Sequence, residues 1–144
     1  MTAIYEATFR AGRETARVDV LARVGDDEWE LIEVKSSSSL KKEHLEDVAF
    51  QARTVRAAGV GLASVRVMHP NGDYVRTGAL DLNQFFESHD LTIQATAIEE
   101  AVTLDAKKMH RTVRASEAPS VETGTQCRNP VRCPFFDHCH MNST

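Results

Sequence analysis

With 144 residues, 42% of them hydrophobic and 26% charged with both signs mixed, the chain has the composition of an ordinary globular domain with room for one core. No apolar run approaches the roughly 20 residues of a membrane span, and the start lacks a basic stretch followed by an apolar one, so a cytoplasmic chain with no membrane contact is expected. A formal net charge of −4 argues against a strongly basic nucleic-acid-binding surface, though not against an enzyme that holds cations in an acidic site.

Alternating residues predict three strands over 4–10, 15–24 and 29–35, separated by Gly12 with its polar neighbours and by Gly25-Asp26-Asp27. Two tight turns make them an antiparallel meander. The strand signal begins within three residues of Met1, so an N-terminal element is expected to be missing. From 43 to 59, Leu45, Val48, Ala49, Ala52 and Val55 recur at helical spacing, and Gly59 is placed to end that helix. Residues 62–69 read as a fourth strand, Pro70-Asn71-Gly72 as a turn, 80–88 as a short helix and 92–112 as a longer one. Periodicity is lost over 114–126, a loop leading to the cysteines. The expected organisation is a core over 1–113 and an irregular cysteine-bearing tail over 114–144.

The turns also set the strand register. A first hairpin turning at Gly12-Arg13 puts Glu6 opposite Asp19, and a second turning near Asp26 puts Asp19 opposite Glu33. Opposed residues of an antiparallel pair project to one face at roughly 5 Å. Lys35, two beyond Glu33, shares that face, while Val18, Val20, Ile32 and Val34 fall on the other and are expected to build the core. Carboxylates set against each other repel unless a cation joins them, and hard oxygen ligands suit Mg²⁺ or Mn²⁺. Lysine beside them can orient a water or stabilise charge on a phosphate. The plainer reading is a solvated strand face with cross-strand ion pairs. On the helix, His44, Asp47 and Gln51 form a polar stripe that faces either solvent or the same site, and the serines from Ser36 onward form a polar loop beside it.

The three cysteines, Cys127, Cys133 and Cys139, all fall in the last 18 residues. An odd, clustered set reads as metal or cluster ligation rather than a disulfide framework: an iron–sulfur cluster, or zinc completed by His138 or His140, with inert buried thiols as the alternative. Pro134, Phe135 and Phe136 are expected to pack the tail.

Asp19, then Glu33-Val34-Lys35, then Gln51 on a helix resembles the motif of the PD-(D/E)XK nuclease superfamily, in its RecB-like branch. "IYEATF", "RVDVLARV", "WELIEVKSSSSLKKEHLEDVAFQ", "VMHPNGDYVR" and "CRNPVRCPFFDHC" are similar to the blocks of an uncharacterised bacterial family of RecB-like nucleases, over nearly the whole chain. The resemblance implies an α/β (α+β) fold with a restriction-endonuclease-like core, a mixed central sheet flanked by helices, and hydrolysis of single- or double-stranded DNA. By position, Asp19 and Glu33 would ligate Mg²⁺ or Mn²⁺, Lys35 would act on the water or phosphate, and Gln51 would position substrate or lysine. Glu6 is a further metal candidate, and His44 and Ser36 are candidates for touching substrate. Such proteins often hold a [4Fe-4S] cluster on four cysteines; three are present here, and the fourth would lie in an absent N-terminal segment. A helix before the first strand is also absent, and Val55 stands where RecB-like proteins often have tyrosine. These departures keep open a non-catalytic nuclease-fold module that binds nucleic acid or protein.

Overall fold

The computed structural model describes residues 2–129 and 131–141, and Pro130, within the cysteine block, lies outside the described residues. The chain divides into two compact units, Met1–Ala106 and Lys107–Thr144. In the first, β1 (Ala3–Ala11), β2 (Glu14–Arg23), β3 (Glu28–Val34), β4 (Gly61–Pro70) and β5 (Phe86–Asp90) form one sheet in the order β1-β2-β3-β4-β5. Neighbours pair antiparallel except β3 and β4, which run parallel because α1 (Lys42–Ala57) carries the chain back between them. A short α2 (Leu82–Phe85) leads into β5, and α3 (Thr92–Arg114) follows it. The architecture is α+β, built on a five-stranded mixed sheet. No helix among the described residues is long and apolar enough to cross a membrane.

The meander follows from its turns. Ala11 pairs with Glu14, so Gly12 and Arg13 form a two-residue loop, and Gly12 has the positive φ of 62° that such hairpins need. The second turn closes with the Val24 and Gly25 amides both donating to the Glu28 carbonyl, at 2.9 and 3.1 Å.

One stripe of α1, Val48, Ala49, Ala52 and Val55, packs on Val18, Leu21, Leu31, Val65 and Val67 of the sheet, with Leu91 and Ala95 completing the cluster. The two alanines on that stripe project only a methyl, which lets the helix lie close to the strands.

Two expectations are corrected. The core face of β3 is that of Leu31 and Glu33, not that of Ile32 and Val34: Leu31 is fully buried, Glu33 is 7% exposed, and Val34 is 40% exposed. On β2 both Val18 and Leu21 enter the core, and residues three apart on a regular strand point to opposite faces, so the pleat is interrupted between them. The interruption has a counterpart across the ladder. Glu6 on β1 holds a φ of 55°, and the ladder skips from Ala7↔Val18 to Tyr5↔Val20 without a change of register. Val20 and Ile32, paired with each other, are consequently only half-buried.

The second correction concerns 80–88, read as a helix. Only Leu82–Phe85 is helical, capped by the Asp81 side chain accepting from the Asn83 amide at 3.0 Å, and Phe86–Asp90 is an edge strand.

The second unit holds a 3₁₀ turn at Thr125–Cys127 and α4 (Phe136–Met141). The Phe136 ring organises it, with the guanidinium carbons of Arg128 and Arg132 at 5.0 and 5.4 Å from its centroid and the His140 ring stacked at 5.7 Å. Phe135, expected to share the packing, is 68% exposed.

Candidate active site

The inward stripe of α1 is not wholly apolar. Beside the apolar Val48, Ala49, Ala52 and Val55 it carries His44 and Gln51, both buried, with the half-buried Asp47 between them in sequence. These polar groups reach the end of β3, where Glu33 has followed Leu31 onto the core face.

Glu33 is held from two sides. Its Oε1 accepts from the Lys35 ammonium at 2.7 Å, and its Oε2 accepts from the Gln51 amide at 2.7 Å. Lys35 also donates to Asp47, and the Gln51 amide reaches the other Asp47 oxygen at 3.4 Å. Asp47, present in the sequence as one member of a helical stripe, is thereby a member of the site. Asp19 joins through the sheet: its Oδ2 accepts from the Val34 backbone amide at 2.8 Å, a side chain standing in for a ladder carbonyl where the β2 pleat breaks.

Burial pushes the Glu33 carboxyl above the usual carboxylate range; the hydrogen bonds from Lys35 and Gln51 oppose this, and repulsion from Asp19 reinforces it. For Lys35, burial acts to lower the pKa, but the bonds to Asp47 and Glu33 outweigh it and hold the side chain as an ammonium. Glu33 and Asp47 therefore share the Lys35 ammonium, with Asp19 beside Glu33.

The Gln51 amide offers a test of whether a cation suits this set. Its Nε2 faces Glu33 and Asp47, so its orientation is fixed, because the flipped amide would set oxygen against oxygen. Its Oε1 is then buried without a partner. A buried carbonyl oxygen left without a hydrogen-bond partner, together with the Glu33 and Asp19 carboxylates of the same site, is the all-oxygen donor chemistry that a hard divalent cation takes.

The remaining expected residues lie differently. Glu6, across from Asp19 in register, pairs its carboxylate with Arg17 at 3.0 Å on an exposed stretch, and the positive φ that breaks its strand accompanies that placement. His44 serves the start of α1: its Nδ1 accepts from the Lys41 backbone amide at 3.2 Å, and burial, together with nearby Lys35, lowers its pKa so that the ring is neutral. Ser36 is exposed on the loop between Lys35 and α1. Further along α1, Arg53 is paired with Glu14, and Arg56 with Glu99 at 3.3 Å.

In the second unit, none of Cys127, Cys133 and Cys139 forms a disulfide. The Cys133 amide donates to the Cys127 carbonyl at 2.8 Å. Among the described residues, the three metal-ligating side chains that do converge are His69, Glu87 and His89, which the sequence reading missed because 80–88 reads as helix.

No protein-family model, no curated protein and no solved structure matches the chain.

Proposed function

We propose that the chain is a metal-dependent nuclease, or the catalytic domain of one, of the RecB-like branch of the PD-(D/E)XK superfamily with its restriction-endonuclease-like core. In this reading Asp19 and Glu33 hold Mg²⁺ or Mn²⁺, and the substrate is a DNA phosphodiester. The observation that carries the reading is the buried Glu33 carboxylate, gripped by Lys35 and Gln51 beside Asp19, at the mouth of a helix–sheet layer.

A divalent cation bound there would supply Lewis-acid polarisation of a phosphoryl oxygen and ionisation of its water. The chain's own groups do the rest. Because Lys35 is held charged, it cannot take a proton from water; it donates hydrogen bonds to a non-bridging phosphate oxygen and offsets the charge that builds there as water attacks phosphorus and loses its proton to solvent, while the P–O ester bond breaks and the leaving oxygen takes a proton from solvent. Gln51 fixes the Glu33 carboxylate in its orientation, and Asp47 holds the Lys35 ammonium at the site entrance.

The test is incubation of the purified chain and of Lys35→Ala with labelled single- and double-stranded DNA in Mg²⁺, Mn²⁺ or EDTA. Cleavage that requires the metal and is lost in the variant is expected. Binding of DNA without cleavage in any metal would replace this reading with a non-catalytic nucleic-acid-binding module.

A further inference from the structure

A second cluster of metal-ligating side chains stands on the same face of the sheet, at the β4–β5 edge. His69 lies opposite Glu87 in the ladder, and His89, two residues on, projects to the same face. His69 is 1% exposed, a polar side chain in a place normally kept for apolar ones. Its Nδ1 lies 2.9 Å from the Pro70 carbonyl oxygen, which only accepts, so Nδ1 carries the proton and Nε2 presents a bare lone pair. That lone pair points at the His89 Nε2, 2.9 Å away, and the Glu87 carboxylate lies 3.9 Å from the first nitrogen and 3.7 Å from the second.

We infer that His69, Glu87 and His89 form a binding site for a borderline first-row divalent cation, Zn²⁺ above all, distinct from the acidic end of β3. The geometry fits one ion. The centre of the triangle of donor atoms lies about 2.1 Å from each, the length of a zinc–imidazole bond, so an ion there takes the place of the proton that His89 Nε2 donates to His69 Nε2, with a small turn of the partly exposed His89 ring. Two neutral imidazoles and one carboxylate are a zinc donor set, whereas Mg²⁺ prefers oxygen alone. The Pro70 carbonyl supplies the outer contact that fixes the tautomer and orientation of a ligating histidine.

The cluster also opens onto space. A cleft of about 490 Å³, bounded by Ser38, Ser39, Asn71 and Asp73, reaches both histidines and Glu87. The serine loop approaches closely there because Gly72 has no side chain: a Cβ on it would meet the Ser38 Cβ at 3.3 Å. Three protein ligands facing a cleft leave a fourth position for water or an anionic oxygen. Glu33, Val67 and His89 stand side by side on β3, β4 and β5, so the two sites are about two strand spacings, roughly 10 Å, apart.

The test is equilibrium dialysis of the full chain against Zn²⁺, with bound metal counted, alongside thermal melts with and without the ion. His89→Ala and Glu87→Gln alter partly exposed residues and are checked for folding by circular dichroism without metal. Each is expected to bind one equivalent fewer, or to bind it more than about tenfold more weakly, the scale on which even outer contacts act, and to lose the rise in melting temperature that Zn²⁺ gives the parent. Asp19→Asn and alkylation of the cysteines are expected to leave that equivalent in place. Equal metal uptake by the parent and both variants, no uptake by the parent, or loss of the ion in Asp19→Asn instead would overturn the assignment.

Discussion

The Gln51 side chain donates to Glu33 across 2.7 Å and so ties α1 to the end of β3 at the point where the core turns polar. Replacing it with leucine keeps the volume and removes the donor. Gln51→Leu is expected to cost about 1–3 kcal/mol, because a buried carboxylate loses a partner, and to push the Glu33 pKa higher still. Urea unfolding at neutral pH measures the first effect. A loss below about 0.5 kcal/mol, the low end for one ordinary hydrogen bond, would mean that water replaces the amide freely.

Glu33 also gives stability a particular pH dependence. Its carboxyl binds a proton more tightly in the folded chain than in the unfolded one, whose value is near 4.5. Folding is therefore favoured where Glu33 is protonated, and this contribution is lost as pH rises from near 4.5 through the higher folded value. Glu33→Gln removes it. The stability of the variant minus that of the parent should grow over that rise in pH, then level, and Mg²⁺ should narrow the gap by stabilising the parent alone. A pH-independent difference in denaturant midpoint would contradict the burial of this carboxylate.

Much of this was readable from spacing. Alternation marks β1 to β4 as strands, and the helical recurrence of Val48, Ala52 and Val55 marks α1. Glu33, Lys35 and Gln51 were legible as a set because strand and helix periodicities aim them at one another. Asp19 was legible as a residue but not in its role, since its bond to the Val34 amide depends on a broken pleat that shows itself only in backbone angles. The assignment of the core face failed for the same reason: Val18, Val20, Ile32 and Val34 look like one inward row when every strand is taken as regular. β5 was hidden because an edge strand reading Phe-Glu-Ser-His-Asp has little to bury, and its pairing with β4, not its composition, makes it a strand. With β5 went the Glu87 and His89 pair, whose period-two spacing has meaning only on a strand.

The corrected core face makes a direct prediction. Leu31→Ala, at a fully buried position packed on α1, is expected to cost about 2–5 kcal/mol. Ile32→Ala, on the half-buried opposite face, should cost clearly less. The order reverses if the row of Ile32 and Val34 is the true core, so two chemical denaturation curves decide between the faces.

The start of α3 rests on another carboxylate. Asp90 Oδ1 accepts from the Thr92 backbone amide at 3.0 Å and from the Thr92 hydroxyl at 2.7 Å, while that hydroxyl oxygen in turn accepts from the Val65 amide at 3.0 Å. A short relay thus joins the end of β5, the first turn of α3 and the middle of β4. The bonds from Thr92 hold the Asp90 carboxyl below its usual value of 3.8. A depressed carboxyl contributes stability above its unfolded pKa and loses it as pH falls through the folded one. Asp90→Ala should therefore cost about 1 kcal/mol at neutral pH, the usual scale for losing a helix-capping side chain, with the difference from the parent shrinking below 3.8. Asp90→Asn, which still accepts but carries no charge, should recover most of the loss and show no such acid dependence. A penalty that persists unchanged into acid would place the role of Asp90 in packing rather than in accepting those two bonds.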